Sequence, residues 1–250
     1  MYLKNFIIFL LITFTYVNCY GQNKSFFGLK AGFSISKIPK KYKESEISPS
    51  RPTQKYEYTR KEYPLLGPVI GLEFYSQISD HFYFLLGIEY QMTGTRYSGT
   101  NTDSSSSGIN SFYENKILHK ICLPVAPGYK FKIKNNEWSI LIGYRPNFLI
   151  SGKYYHKWIE EGIGTKAVVI TEYNPFKPEF SITPLKRFVS QVSIIISNNI
   201  SEHLKIDLSL NLSKSLKVYQ EYDYLEYYLG EYKNNDFSLS LTYLFRKTNK

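Results

Sequence analysis

The residue types that most often carry chemistry are sparse and scattered in this chain. Its four histidines, His81, His119, His156 and His203, lie far apart, and none stands at metal-ligand spacing from a cysteine, aspartate or glutamate. No G-x-S-x-G elbow and no phosphate-cradling glycine loop is present. Glu73 and Glu89 are a conceivable general acid and base, because the strands that carry them are consecutive. Lys30, Lys120, Arg145 and Asp207 share their strand parity, so an ion network that neutralises itself is the simpler assignment for all six. The expectation is a protein that is not an enzyme and needs neither cofactor nor metal. The net charge of +10 is spread along the chain and mixed with acids, with no element that would read bases, so nucleic acid is not an expected partner.

The elements that must position these groups are strands. From Leu204 to Ser215 the sequence reads L-K-I-D-L-S-L-N-L-S-K-S, with Leu204, Ile206, Leu208, Leu210 and Leu212 on one parity and polar residues on the other. Successive strand side chains point to opposite faces, so this is a strand with one aliphatic and one polar face. The same period recurs at Phe26–Ser36, Leu66–Ser76, Phe82–Thr95, Lys116–Ile133, Trp138–Ser151, Phe188–Ser197 and Asp236–Phe245. In the fourth of these, Pro124 and Pro127 interrupt the pattern, and a bulge is expected there because proline cannot donate to a ladder.

Connections between these eight strands alternate in length. Gln77–Asp80, Lys134–Glu137 and Ser197–His203 are short, whereas Lys37–Pro64, Ser98–Ser111, Gly152–Lys186 and Tyr219–Asn235 are long and read as loops. Within the third long connection, Ala167–Thr171 is β-prone and implies either a projecting hairpin or a further spanning pair that would make ten strands. Long and short connections in alternation are the stringing of an outer-membrane barrel, with short periplasmic turns and long external loops. The fold expected is therefore all-β: an eight-stranded antiparallel up-and-down transmembrane β-barrel with long external loops. A soluble lipocalin-like cup is the alternative, and it would need the apolar parity inside.

The N-terminus agrees with export. Lys4 precedes an apolar run from Phe6 to Val17, which is the length of a signal-peptide core and too short for a spanning helix. Residues 1–21 are expected to be a signal peptide cleaved before Gln22, and 22–250 the outer-membrane barrel domain. Acylation of Cys19 is disfavoured by the Asn18 before it, and after cleavage Cys122 has no partner for an intrachain disulfide.

The segments F-G-L-K-A-G-F-S-I-S (27–36), G-L-E-F-Y (71–75), L-L-G-I-E-Y-Q-M-T-G (85–94), I-C-L-P-V-A-P-G-Y-K-F (121–131) and F-S-L-S-L-T-Y-L-F (237–245) resemble the PorT-type outer-membrane β-barrel domain of Bacteroidota. The resemblance spans nearly the whole mature chain and implies a counterpart for Pro124. It also implies a role linked to secretion or envelope assembly, but it carries over no functional residue.

Function in such a chain would reside in its loops. Tyr222, Tyr224, Tyr227 and Tyr228, interleaved with acids, make an amphipathic surface suited to protein or glycan contact, or an extended aromatic girdle. Outer-membrane lipid is the expected partner, with envelope or secretion-system proteins reached through the external loops. A structural or interaction protein is thus expected. A narrow pore for small solutes, or an outer-leaflet lipid-modifying enzyme using His119 or a loop serine, are the alternatives.

Overall fold

The computed structural model describes residues 25–37, 40–41, 56–103, 109–162, 165–174, 187–213, 216–222, 225–232 and 235–245. The proposed signal peptide and its cleavage site lie outside the described residues. The elements are β1 (Ser25–Lys37), β2 (Lys40–Lys41), β3 (Tyr56–Gln77), β4 (Phe82–Asp103), β5 (Ile109–Cys122), β6 (Val125–Ile133) and β7 (Asn136–Gly162). They continue with β8 (Thr165–Tyr173), β9 (Phe188–Asn199), β10 (Leu204–Ser213), β11 (Leu216–Tyr222), β12 (Leu225–Tyr232) and β13 (Asn235–Phe245).

Each long strand pairs antiparallel with its neighbours in sequence, and the first pairs with the last: Phe27 faces Phe245 and Ile35 faces Phe237. β1 pairs with β3 on its other side, β3 with β4, and the series runs through β5 and β6, β7, β9 and β10 back to β13. The sheet is closed. β5 and β6 both pair with β4 and with β7, so they form one wall strand and the barrel has eight such strands. Closure leaves the wall without an open edge, so its backbone groups pair along the ladder without recourse to water.

The pattern of burial is inverted relative to a soluble protein. Leu29, Phe33, Ile70, Leu72, Ile88, Ile142, Leu208, Leu210, Leu239 and Leu241 are exposed on the outside, while Lys30, Glu73, Glu89, Lys120, Arg145, Asp207 and Asp236 are buried inside. A cup with the apolar parity inward is thereby excluded, because the parity of β10 is the reverse. On β10 the outward apolar side chains run from Leu204 to Leu212. A tilted strand of about 9–11 residues is what crosses a bilayer.

Three short turns lie at one end. Ile78 and Ser79 donate to the Phe82 carbonyl, Ile200 and Ser201 donate to the Leu204 carbonyl, and Lys134, with φ of 55°, lies in the tight turn joining β6 to β7. Around this end Tyr129 packs against both Phe82 and Phe131, His81 stacks on Tyr129 and His203 stacks on Tyr243. Aromatic rings with a polar edge favour such a boundary between apolar wall and water.

Several expectations are corrected. The strands run far past the predicted ends: residues 56–64, assigned to a loop, pair with Thr95–Asp103, and β5 begins at Ile109. The segment from Tyr219 contains a second hairpin, β11 with β12, which β2 joins. Among the described residues β8 pairs only with the upper part of β7, Tyr154–Gly162, so it projects and does not add a spanning pair.

The two prolines cause no bulge. Cys122 faces Glu89 and Val125 faces Leu86, so the register is unchanged across the break. The Gly87 N–H donates to the Pro124 carbonyl at 3.0 Å and the Leu123 N–H to the Pro146 carbonyl at 2.9 Å, which carries the ladder through. The bulge lies instead between His119 and Lys120, opposite an extra residue on β7. That extra residue shifts the parity, so Ser151 is exposed and is not on the inward face expected for it.

Candidate functional site

Buried charged side chains converge in the lumen. Alternation places Lys30 of β1, Glu73 of β3, Glu89 of β4, Lys120 of β5, Arg145 of β7 and Asp207 of β10 on the inward face, and all six are buried. Lys30 Nζ lies 3.0 Å from Glu73 and 2.8 Å from Glu89. Arg145 donates to the other oxygen of Glu89 and, at 2.9 Å, to the Gln91 side-chain carbonyl. Lys120 Nζ lies 2.8 Å from Asp236, which also accepts from Gln91 (2.9 Å), Gln191 (3.1 Å) and Asn211 (2.7 Å). Thr242 donates to Asp207 at 2.8 Å, and Lys205 Nζ lies 2.9 Å from Asp207 and 3.9 Å from Glu73.

Four cations therefore meet four carboxylates in this part of the lumen: Lys30, Lys120, Arg145 and Lys205 against Glu73, Glu89, Asp207 and Asp236. The sum of charge is zero. An unpaired ion in this low-dielectric space would cost several kcal/mol, so each is held by at least one counter-ion, and all but Lys30 and Glu89 also by an amide or hydroxyl group. Lys205 and Asp236 were assigned to polar strand faces by the alternation but not to the network. The signal for Asp236 was weak because it sits at the very start of its strand.

Glu73 and Glu89 do approach each other, but through Lys30, which bridges them. Both carboxylates are therefore held by cations rather than poised to exchange a proton with a substrate. Beneath this network, toward the short turns, the lumen is lined largely by apolar side chains. Tyr75, Tyr83, Leu85, Ala126, Leu141, Ile195 and Leu244 form a buried apolar cluster inside the barrel. The Tyr83 ring lies over Gly128, where a Cβ would meet it at 2.6 Å, and its hydroxyl donates to Ser139 at 2.9 Å. Leu85, Leu141, Ile195 and Leu244 in this layer, with Leu65, Val69, Leu118, Leu149 and Val189 elsewhere in the wall, are buried aliphatic residues that break the simple rule of polar inside.

The histidines are dispersed. His81 and His203 stand at the turn end, with Nδ1 against the Lys130 and Leu244 carbonyls at 3.3 and 3.0 Å. His156 lies 3.3 Å from Glu114. His119 is on the outer face, its Nδ1 2.6 Å from the Tyr90 hydroxyl. Ser151 is its cross-strand neighbour, but no hydrogen bond joins the two. Among the described residues no cluster could hold a metal ion. Of the tyrosines proposed as an external contact surface, Tyr222, Tyr227 and Tyr228 lie on the β11–β12 hairpin, and Tyr224 lies outside the described residues.

Neither a protein-family model nor a curated protein matches the sequence. Among solved structures, the fold is similar to that of Ail, the attachment invasion locus protein of Yersinia pestis, in complex with the heparin analogue sucrose octasulfate, at 12% identity and a TM-score of 0.34, over 89% of this chain and 99% of that one. It is similar also to the outer membrane protein OprG from Pseudomonas aeruginosa, at 9% identity and a TM-score of 0.40, over 90% of this chain and 97% of that one. A third is Outer Membrane Protein W of E. coli, at 12% identity and a TM-score of 0.33, over 89% and 98%. These likenesses add nothing to the strand pairing, which defines the barrel on its own.

Proposed function

We propose that this chain is an integral outer-membrane barrel that works as a sealed anchor, holding extended hairpins outside the membrane for contact with other envelope components. The observation that carries this reading is the pairing of an apolar exterior with a filled interior. The exterior leucines, isoleucines and phenylalanines are sheltered from water only by acyl chains. Inside, the ion network and the apolar cluster below it occupy the lumen in two successive layers. An eight-stranded barrel encloses room for side chains and little else.

The extended ends of β3, β4, β5 and β7, with the β7–β8 and β11–β12 hairpins, are the parts that reach beyond the wall. The strand sequences that resemble PorT-type barrels support a partner in secretion or envelope assembly. Planar-bilayer recording tests the sealed state. A sealed anchor gives no steady single-channel steps, whereas reproducible ohmic steps from the purified barrel would establish the pore reading in its place. Replacing the β11–β12 hairpin by a short turn should then remove co-purifying envelope proteins while the barrel still inserts.

A further inference from the structure

We propose that the outer wall of β3, β4, β5 and β7, just above the apolar belt, binds the phosphorylated headgroup of an outer-leaflet lipid. The proposal rests on the membrane reading above. On β4 the outward apolar residues Phe82, Phe84, Leu86 and Ile88 give way to Tyr90 and Met92, and Met92 pairs with His119 of β5. Tyr90 and His119 are hydrogen-bonded and stacked, with ring centroids 6.0 Å apart, so the belt is closed here by a half-buried polar pair.

The register then fixes what lies above. Next outward comes the row in which Ile117 faces Lys153, then the row Tyr63, Arg96, Asn115 and Tyr155, then the row Lys61, Ser98, Tyr113 and Lys157. Four cations, Lys61, Arg96, Lys153 and Lys157, thus occupy successive rows of one wall, with strands about 4.8 Å apart. Lys61, Arg96 and Lys153 are exposed, and Lys157 is half-buried. Among the described outward residues of these rows the one carboxylate is Glu172, which lies 2.8 Å from Lys153. Tyr113 and Tyr155 pack edge to face between the cations, with centroids 6.1 Å apart. On the other side of the barrel the upper described outward residues of β1, β13, β10 and β9 include Ile35, Phe237, Leu212 and Phe188, all apolar and exposed, with Arg187 exposed next to Phe188.

A row of cations directly above an acyl-facing belt lies at the depth where lipid phosphates lie. Long lysine and arginine stems can rest on the tyrosines while their heads reach that plane. Arginine adds a planar fork that grips phosphate with two parallel hydrogen bonds.

The test uses the full-length mature barrel in neutral detergent, with diphosphorylated lipid A, the same lipid after chemical dephosphorylation, and inorganic phosphate as probes, read by native mass spectrometry. The wild-type barrel should retain the phosphorylated lipid in preference to the dephosphorylated one, and millimolar inorganic phosphate should not displace it. The Lys61→Gln, Arg96→Gln, Lys153→Gln, Lys157→Gln variant should bind the phosphorylated lipid about tenfold or more weakly. A Lys132→Gln, Lys134→Gln variant, altered at the exposed turn end, should bind as wild type. Equal retention of the two lipids, an unaffected quadruple variant, or an equal loss in the turn-end variant would each overturn the proposal. Heat-modifiable migration of every variant reports the folded barrel separately. A wild-type chain that stays monodisperse without detergent would refute the membrane reading itself.

Discussion

At the level of single residues, position in the wall decides what a side chain is worth. Leu208 is 38% exposed on the outer face of β10. Leu208→Arg should cost about 2–4 kcal/mol if it faces mid-bilayer, measured by urea titration of the barrel in phospholipid vesicles. On sequence alone Asn211 reads as a replaceable lumen residue, and Asn211→Ser would be nearly silent. The structure changes that expectation, because its amide donates to Asp236 at 2.7 Å and its side-chain carbonyl accepts from Ser193. Loss of the bond to a buried carboxylate should cost about 1.5–3 kcal/mol.

Arg145 sits between Glu89 and Asp236. Arg145→Met leaves Glu89 to Lys30 alone and Asp236 to Lys120, so the four carboxylates are one cation short. This should destabilise by about 3–5 kcal/mol, while adding Glu89→Gln should restore part of the loss. A double-mutant cycle with no coupling would show that the two charges are held independently. Lys134 is a non-glycine residue with positive φ in a tight turn. Lys134→Gly should stabilise by about 0.5–1 kcal/mol in the same titration.

At the level of elements, the sequence is legible where one face of a strand meets lipid and the other the lumen. There the two environments differ at every step, and the hydrophobic period of two follows. Phe27 to Ile35 and Phe237 to Phe245 were readable for this reason, and they pair with each other in the structure. Beyond the belt the outer face meets water in place of lipid and takes polar residues too, so the period disappears although the ladder continues. Hence Tyr56–Pro64 and Ile109–Asn115 look like loop in sequence and are strand in fact.

The break at Pro124 is a different case. Its missing N–H was visible, but whether the ladder bulges or bridges the gap depends on the Gly87 and Pro146 partners, which no local pattern reveals. The projecting β7–β8 hairpin pairs nowhere with β9, and the wall below it is completed by β7 and β9 over Glu137–Phe148. Excising residues 157–173 should therefore leave a barrel that still shows heat-modifiable migration. Loss of that migration would mean the hairpin belongs to the wall.

At the level of the whole molecule, closure and filling are two separate achievements. Closure follows from eight strands in sequence order with the ends paired. Filling depends on which inward residues meet across the lumen, and that was only partly legible. Lys30, Glu73, Glu89 and Arg145 announce themselves as charges on an inward parity, whereas the apolar layer of Leu85, Leu141, Ile195 and Leu244 does not, because aliphatic residues are expected on the other face. Buried ion pairs rarely add net stability over well-packed apolar groups. Their value here is register: a one-residue slip of any wall strand but β9, which contributes no charged group to the lumen, would carry a charge into lipid.

That inversion, apolar outward and charged inward, is the claim on which the account stands, and spin-label scanning of β10 measures it. With Cys122→Ser as background, single cysteines at 206, 208, 210 and 212 and at 209 and 211 are labelled in vesicle-reconstituted protein. The account predicts high oxygen accessibility at the four even positions and low accessibility to both oxygen and a polar nickel chelate at the two odd ones. Oxygen accessibility of the opposite phase, or none that alternates, would contradict it.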